Sequence, residues 1–136
     1  MILVDTSVIV DFLKGNENSK TEIFESILKR NMPYGIASYT VQEVLQGAKD
    51  DDEYEKLKDY LSTLSIYFLP ESFETYEEAA RLFFELRRQG ITIRNSIDVL
   101  ISLIVIKNDL YLLHNDRDFD LFASKIKGLK TMESLV

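Results

Sequence analysis

Short apolar runs alternate with amphipathic segments along the whole chain. Met1 to Val4 form a continuous apolar run of strand length, whereas residues 17–30 repeat their apolar side chains at helical spacing. The same pattern of apolar runs predicts strands at residues 1–4, 34–38, 65–70, 110–114 and 128–133. It predicts helices at residues 6–14, 17–30, 39–47, 54–64, 72–89, 97–107 and 117–123. Strands that alternate with helices are typical of an α/β fold with a mainly parallel sheet.

Two glycines and an acidic run support the predicted helix boundaries. Gly15 and Gly90 stand just past two predicted helices, where glycine is favoured because the chain turns into the left-handed region. The acidic run Asp50 to Glu53 precedes the helix predicted from Tyr54, and we interpret it as solvated acids at that helix's N-terminus. With 136 residues and no repeat or linker, the sequence predicts one domain over residues 1–136.

Composition restricts the chemistry that this chain can carry. It has no cysteine and one histidine, His114, so thiolate and histidine-rich metal sites are excluded and oxygen ligands remain. Mg²⁺ and Mn²⁺ suit such ligands. The net charge of −7 means that nucleic-acid binding would need a local basic patch or metal ions.

We expect a cytoplasmic protein that does not cross a membrane. The N-terminus has no basic region, and Asp5 interrupts its apolar start, unlike a signal peptide. The apolar run at residues 99–106 is far shorter than the roughly 20 residues that span a bilayer.

Acidic side chains follow the predicted strands. Asp5 follows the first strand, Glu43 lies in the helix after the second, Asp98 opens the apolar helix at residues 97–107, and Asp116 and Asp118 follow the fourth strand. Ligands of parallel sheets bind beyond the carboxyl ends of the strands. These acids are therefore expected to gather at one edge of the sheet, where a divalent cation would relieve their repulsion and activate water.

Each acid also has a structural interpretation. Asp5 suits an N-cap, and Thr40 with Glu43 forms a capping-box spacing. Asp98 lies in the first turn of its predicted helix, where an acid is favoured by the helix dipole. A carboxylate on an otherwise apolar, buried helix nevertheless needs a partner for its charge. Asp118 is as compatible with a turn as with the site.

Basic and aromatic residues offer further contacts for a polyanion. Four arginines fall within fourteen residues near the predicted helix at 72–89, where they form either a basic rim or cations that suit the helix dipole: Arg81, Arg87, Arg88 and Arg94. A second and weaker candidate for a basic patch comprises Lys125, Lys127 and Lys130. Three aromatic side chains either stack on bases or belong to the core: Tyr34, Tyr39 and Phe119.

The ordered motifs resemble those of PIN domains, and especially of VapC-like type II toxin ribonucleases. They are "LVDTSVIVDFLKG", "ASYTVQEVLQG" with Glu43, "IDVLIS" with Asp98, and "LLHNDRDF" with Asp116 and Asp118. The match runs in order over essentially the whole chain. The sequence departs from the family pattern at His114, where many relatives carry Thr or Ser. His114 either contacts substrate or makes a structural hydrogen bond, and we leave both roles open.

The resemblance implies a three-layer α/β/α sandwich with a central, mainly parallel sheet. It implies Mg²⁺- or Mn²⁺-dependent cleavage of RNA phosphodiester bonds, with Asp5, Glu43, Asp98 and Asp116 as the catalytic acids. Asp5, Asp98 and Asp116 would bind metal, Glu43 would position metal or water, and Ser7 could hydrogen-bond in the site. A homodimer and a cognate antitoxin are also implied.

Three other functions remain open at this point. A PIN nuclease that processes RNA without being a toxin would use the same chemistry. A different Mg²⁺-dependent phosphoryl-transfer domain is disfavoured because residue 7 is serine and the third predicted strand ends without an aspartate. The last alternative is a binding module with an inactive acidic pocket.

Overall fold

The computed structural model describes residues 1–135, in which a five-stranded parallel sheet lies between two layers of helices. The strands are β1 (Ile2–Val4), β2 (Tyr34–Ala37), β3 (Ser65–Tyr67), β4 (Tyr111–Leu113) and β5 (Lys130–Thr131). The helices are α1 (Thr6–Leu13), α2 (Ser19–Lys29), α3 (Ser38–Leu45), α4 (Asp51–Leu61), α5 (Phe73–Arg88), α6 (Ser96–Lys107) and α7 (Arg117–Lys125).

The strand order is β3-β2-β1-β4-β5, so β1 lies at the centre of the sheet. In β1, Leu3 pairs with Gly35 of β2 on one side and with Leu112 of β4 on the other. The chain steps outward from β1 to β3 and then returns to place β4 on the other side of β1. The strand order therefore reverses between β1 and β4, and such reversals are where open α/β sheets bind ligands.

Each face of the sheet carries its own hydrophobic core. Leu3 and Leu112 belong to a core shared with α5, α6 and α7, whereas Val4 and Leu113 belong to a core shared with α1 to α4. The division follows from the strand itself, because successive side chains point to opposite faces. The predicted three-layer α/β/α sandwich is confirmed.

Most predicted boundaries agree with the structure to within two residues, but β3 ends at Tyr67 instead of Pro70, and both ends of α4 lie three residues earlier than predicted. Helix α4 begins at Asp51 instead of Tyr54, because Asp50 caps it by accepting from the Glu53 N–H at 2.8 Å. The acids predicted to precede this helix thus form its first turn. The last strand shrinks from the predicted 128–133 to Lys130–Thr131. Gly15 and Gly90 have φ of 77° and 88°, as expected after helix ends.

None of the helices within residues 1–135 is long and apolar enough to cross a membrane.

Candidate active site

An acidic cavity of about 430 Å³ opens at the carboxyl edge of the sheet, where the strand order reverses. Its lining comes from four separate parts of the chain: Asp5, Thr6 and Ser7, then Glu43, then Arg94, Asn95 and Asp98, and finally Asp116 and Asp118. Three of these segments follow β1, β2 and β4, whose carboxyl ends share one edge, and the fourth is the start of α6. The acids therefore lie together at this edge of the sheet, as the sequence predicts.

Three carboxylates form the tightest acidic group in this cavity. Asp98, Asp116 and Asp118 each offer an oxygen such that the three atoms lie within 4.8 Å of one another. Asp98 stands in the first turn of α6, and Asp116 is the N-cap of α7, accepting from the Asp118 N–H at 2.9 Å. A set of carboxylate oxygens at this separation suits a hard divalent cation.

Asp5 is fixed at the end of β1 by the turn that follows it. Its Oδ2 accepts from the Ser7 N–H at 3.1 Å and from the Ser7 hydroxyl at 2.7 Å, so Asp5 is the N-cap of α1. Ser7 Oγ in turn accepts from the Asn115 N–H at 3.0 Å, which ties the end of β1 to the loop after β4. The capping interpretation of Asp5 is confirmed, and the same carboxylate lines the acidic cavity.

Glu43 is oriented by a hydroxyl and not by a capping box. Helix α3 already begins at Ser38, so Thr40 and Glu43 lie inside it on one side, and its N-cap Ala37 makes no side-chain cap bond. The predicted Thr40–Glu43 capping box is therefore wrong. Thr6 donates to Glu43 Oε1 at 2.8 Å, and its Oγ1 also lies 3.0 Å from that of the buried Thr40.

Burial and mutual repulsion disfavour negative charge in this cavity. Burial raises the pKa of Asp5 to about 6, against the lowering effect of the hydrogen bonds from Ser7. Burial also raises the pKa of Asp98 to about 7, and repulsion from Asp5 and Asp116 adds to it. Without metal, Asp5 and Asp98 thus hold protons more tightly than free carboxylates, and a divalent cation would replace those protons as counter-charge.

Asp118 has a built-in counter-ion. Arg94 donates to both of its oxygens, with Nη2 2.9 Å from Oδ1 and Nε 3.3 Å from Oδ2. Asp118 is buried while the Arg94 side chain is 65% exposed, so the pair stands at the mouth of the cavity. Among residues 1–135, Arg94 is the only cationic residue in the lining.

The other basic and aromatic candidates lie elsewhere. Arg87 and Arg88 lie over the rings of Phe83 and Phe84 on α5, and Arg81 is close to Glu85 of the same helix. None of these three arginines lines the acidic cavity, whereas Arg94, the fourth arginine of the predicted group, does. Phe119 is fully buried in the core.

Two supporting residues had no clear signal in the sequence. Asp11 accepts from the side chain of Asn115 at 3.1 Å and so steadies the loop that carries Asp116. Thr6 holds Glu43 across 37 residues of sequence. Only the adjacency of Thr6 to Asp5 hinted at this contact.

A doubly covered parallel sheet with carboxylates at a strand-order reversal defines an α/β protein whose site suits a divalent cation. The PIN domain family matches residues 2–125, and the chain therefore belongs to that family.

Individual relatives agree with this assignment. The chain is 27% identical over 124 residues to VapC ribonuclease Mb1587 of Mycobacterium bovis and, equally, to ribonuclease VapC11 of Mycobacterium tuberculosis. Each alignment covers 90% of this chain and 92% of the relative.

Solved structures share the fold at lower identity. A chain of VapBC2 from Rickettsia felis, bound to a promoter DNA fragment, aligns with a TM-score of 0.72 and 24% identity over 97% of this chain and 98% of that one. A chain of DNA-bound VapBC from Salmonella typhimurium aligns with a TM-score of 0.71 and 19% identity over 96% of each of the two chains.

Proposed function

We propose that this protein is a Mg²⁺- or Mn²⁺-dependent endoribonuclease that cleaves RNA phosphodiester bonds. The observation that carries the proposal is the convergence of Asp98, Asp116 and Asp118 within 4.8 Å, in a cavity that Asp5 and Glu43 also line. Two relatives with 27% identity are named ribonucleases, which supports the choice of RNA as substrate.

Asp5, Asp98 and Asp116 are proposed as the metal ligands, as the sequence predicts, and the geometry adds Asp118 as a fourth candidate. The bound cation would neutralise charge on the phosphate and activate water for its attack. Glu43, held by Thr6, is proposed to orient that water or the metal's surroundings.

The remaining residues prepare the site for a polyanion. Ser7 fixes one oxygen of Asp5, and Asp11 steadies the loop that carries Asp116 through Asn115. The exposed guanidinium of Arg94 is proposed to contact an RNA phosphate, because planar guanidinium groups suit phosphate oxygens.

We further propose that the protein acts as a toxin, bound by an antitoxin and paired with a second copy of itself. Several relatives of known structure come from toxin–antitoxin complexes, including one from Klebsiella pneumoniae. Helix α5 exposes Phe73, Tyr76 and Phe84 at 81%, 51% and 43%, an apolar surface suited to a protein partner. Arrest of growth on expression without the antitoxin supports the toxin, whereas unaffected growth favours an RNA-processing nuclease.

The central test is cleavage of total RNA by purified protein with Mn²⁺, with EDTA, and with Asp5→Asn. Cleavage is expected only with the metal and the intact aspartate. Asp109→Asn is the matched control, because the exposed Asp109 pairs with Lys130 away from the cavity. Cleavage that survives both EDTA and Asp5→Asn would overturn the proposal. Binding of Mn²⁺ without cleavage would instead favour an inactive pocket or another phosphoryl-transfer reaction.

Thr6→Val is expected to slow RNA cleavage by about 10-fold to 100-fold, the usual cost of losing a hydrogen bond that orients a site residue. Valine keeps the shape of threonine but cannot donate to Glu43. Thr6→Ser keeps the hydroxyl and should retain most of the activity. Equal rates for both variants, measured with a fluorogenic RNA, would show that Thr6 does not orient Glu43 for catalysis.

A further inference from the structure

A second cavity of about 330 Å³ adjoins the acidic one and shares Asp116 with it. It lies between the start of α2, the loop after β4 and the start of α7. Its walls carry Lys20, His114, Arg117, Asp120 and Glu133, none of which lines the acidic cavity. The two cavities meet at Asp116, so neighbouring parts of one ligand can occupy both.

The single histidine of the chain leaves one polar atom unused in this cavity. His114 is 2% exposed, and its Nδ1 accepts from the Asp116 N–H at 3.1 Å, so Nε2 carries the hydrogen of the neutral ring. Nε2 has no hydrogen-bond partner within residues 1–135. Asp120 Oδ1 lies 3.3 Å away, but its direction does not satisfy a hydrogen bond. Buried donors are rarely left unpaired.

The other lining groups offer both donors and acceptors. Lys20 is nearly buried, donating to the Met132 carbonyl at 3.0 Å and pairing with Glu133 at 3.3 Å. The two cations, Lys20 and Arg117, face three carboxylates, Asp116, Asp120 and Glu133. The resulting excess of negative charge disfavours a phosphate group here. A neutral, planar ligand with both kinds of hydrogen-bonding group fits better.

We propose that this second cavity binds a nucleobase of the RNA next to the cleaved phosphate, with a preference for guanine. Guanine presents two adjacent N–H groups, which a carboxylate such as Asp120 can accept together. Its O6 and N7 accept from lysine or arginine and from a group such as His114 Nε2–H. The inference rests on the proposed function and extends it, because it assigns part of the sequence preference to residues outside the acidic cavity.

The histidine is a direct reporter, because its ring signals in an NMR spectrum are unique in this chain. We would titrate the metal-free protein with GMP, AMP, CMP, UMP and inorganic phosphate and follow the His114 ring resonances. GMP is expected to shift them most, and Asp120→Asn to weaken GMP binding by about tenfold, within the range for losing a good base-specific pair. Asp109→Asn should leave GMP binding unchanged.

Three results would overturn the inference: equal shifts with inorganic phosphate alone, no shift with any nucleotide, or an unchanged response in Asp120→Asn. A preference for another base would overturn the assignment to guanine. These outcomes do not depend on cleavage, so they test the cavity even if the protein cuts no RNA.

Sequencing the cleavage ends provides the second arm. Wild-type protein should show a guanine preference at one position flanking the cut, which Asp120→Asn reduces and Asp109→Asn retains. Cleavage with the same preference in all three proteins would contradict the assignment, while absence of cleavage in the wild type would overturn only the proposed function.

Discussion

Asp98→Asn is expected to slow metal-dependent RNA cleavage strongly and, at the same time, to stabilise the metal-free protein. The loss of a carboxylate from the proposed metal site should slow cleavage by about 100-fold to 1,000-fold, equivalent to about 3 to 4 kcal/mol of transition-state stabilisation. The gain in stability has a separate cause, which lies in the charge that the folded protein must accommodate without metal.

The sign follows from the raised pKa. Asp98 has a pKa of about 7 in the folded protein against an ordinary value of 3.8, so the folded state holds its proton more tightly than the unfolded chain. Stability from this group is therefore full below the ordinary value and is lost as pH rises towards about 7. At about pH 8 the neutral asparagine avoids that loss, which we expect to be about 2 kcal/mol after relaxation of the site.

Urea unfolding at about pH 8 in EDTA measures this difference, and the gain should shrink as the pH is lowered. Asp109→Asn serves as the control, because the Lys130 ammonium holds the pKa of Asp109 below its ordinary value. That variant should give no gain. If Asp98→Asn were less stable than the wild type at every pH, charge in this cavity would not be the destabilising feature.

Mn²⁺ affinity is expected to fall by about 100-fold between about pH 7.5 and about pH 5.5, if both Asp5 and Asp98 must be ionised to bind metal. Their raised pKa values, about 6 and about 7, mean that acidification protonates both. Metal must then displace protons, so affinity weakens as pH falls. Carboxylates with ordinary pKa values would remain ionised over most of this range.

Titration calorimetry in buffers of different ionisation enthalpy would count the released protons. At about pH 6 we expect between one and two protons per bound ion. Asp5→Asn should retain a pH dependence from Asp98 alone, with fewer protons released. Affinity that is constant over this range would show that these two groups do not bind the metal.

The fold class was accessible from the sequence because its signals are local. Alternation of apolar runs with helical periodicity predicted the parallel α/β sheet, and Gly15 and Gly90 marked two helix ends. The start of α4 was placed too late because acids in a first turn and acids before it look alike in sequence. The strand order had no local signal, since it depends on which strands pack on either side of β1.

The candidate site was predictable only in part. The sequence placed Asp5 and Asp116 directly after strands and Glu43 and Asp98 in helices, and all four line one cavity. Their metal and catalytic roles stay predictions. The Thr40–Glu43 spacing was misassigned because a capping box and one side of a helix share the same separation.

The sequence by itself determined the alternation of strands and helices, the mainly oxygen ligands of any metal site, and the segments that carry its acids. Only the tertiary structure decided that β1 and β4 are neighbours, that Arg94 neutralises Asp118, and that His114 faces a separate cavity with Lys20. The physical reason is the separation along the chain over which each kind of interaction acts. Periodicity and capping act over a few residues, whereas charge pairing and burial depend on residues that only folding brings together.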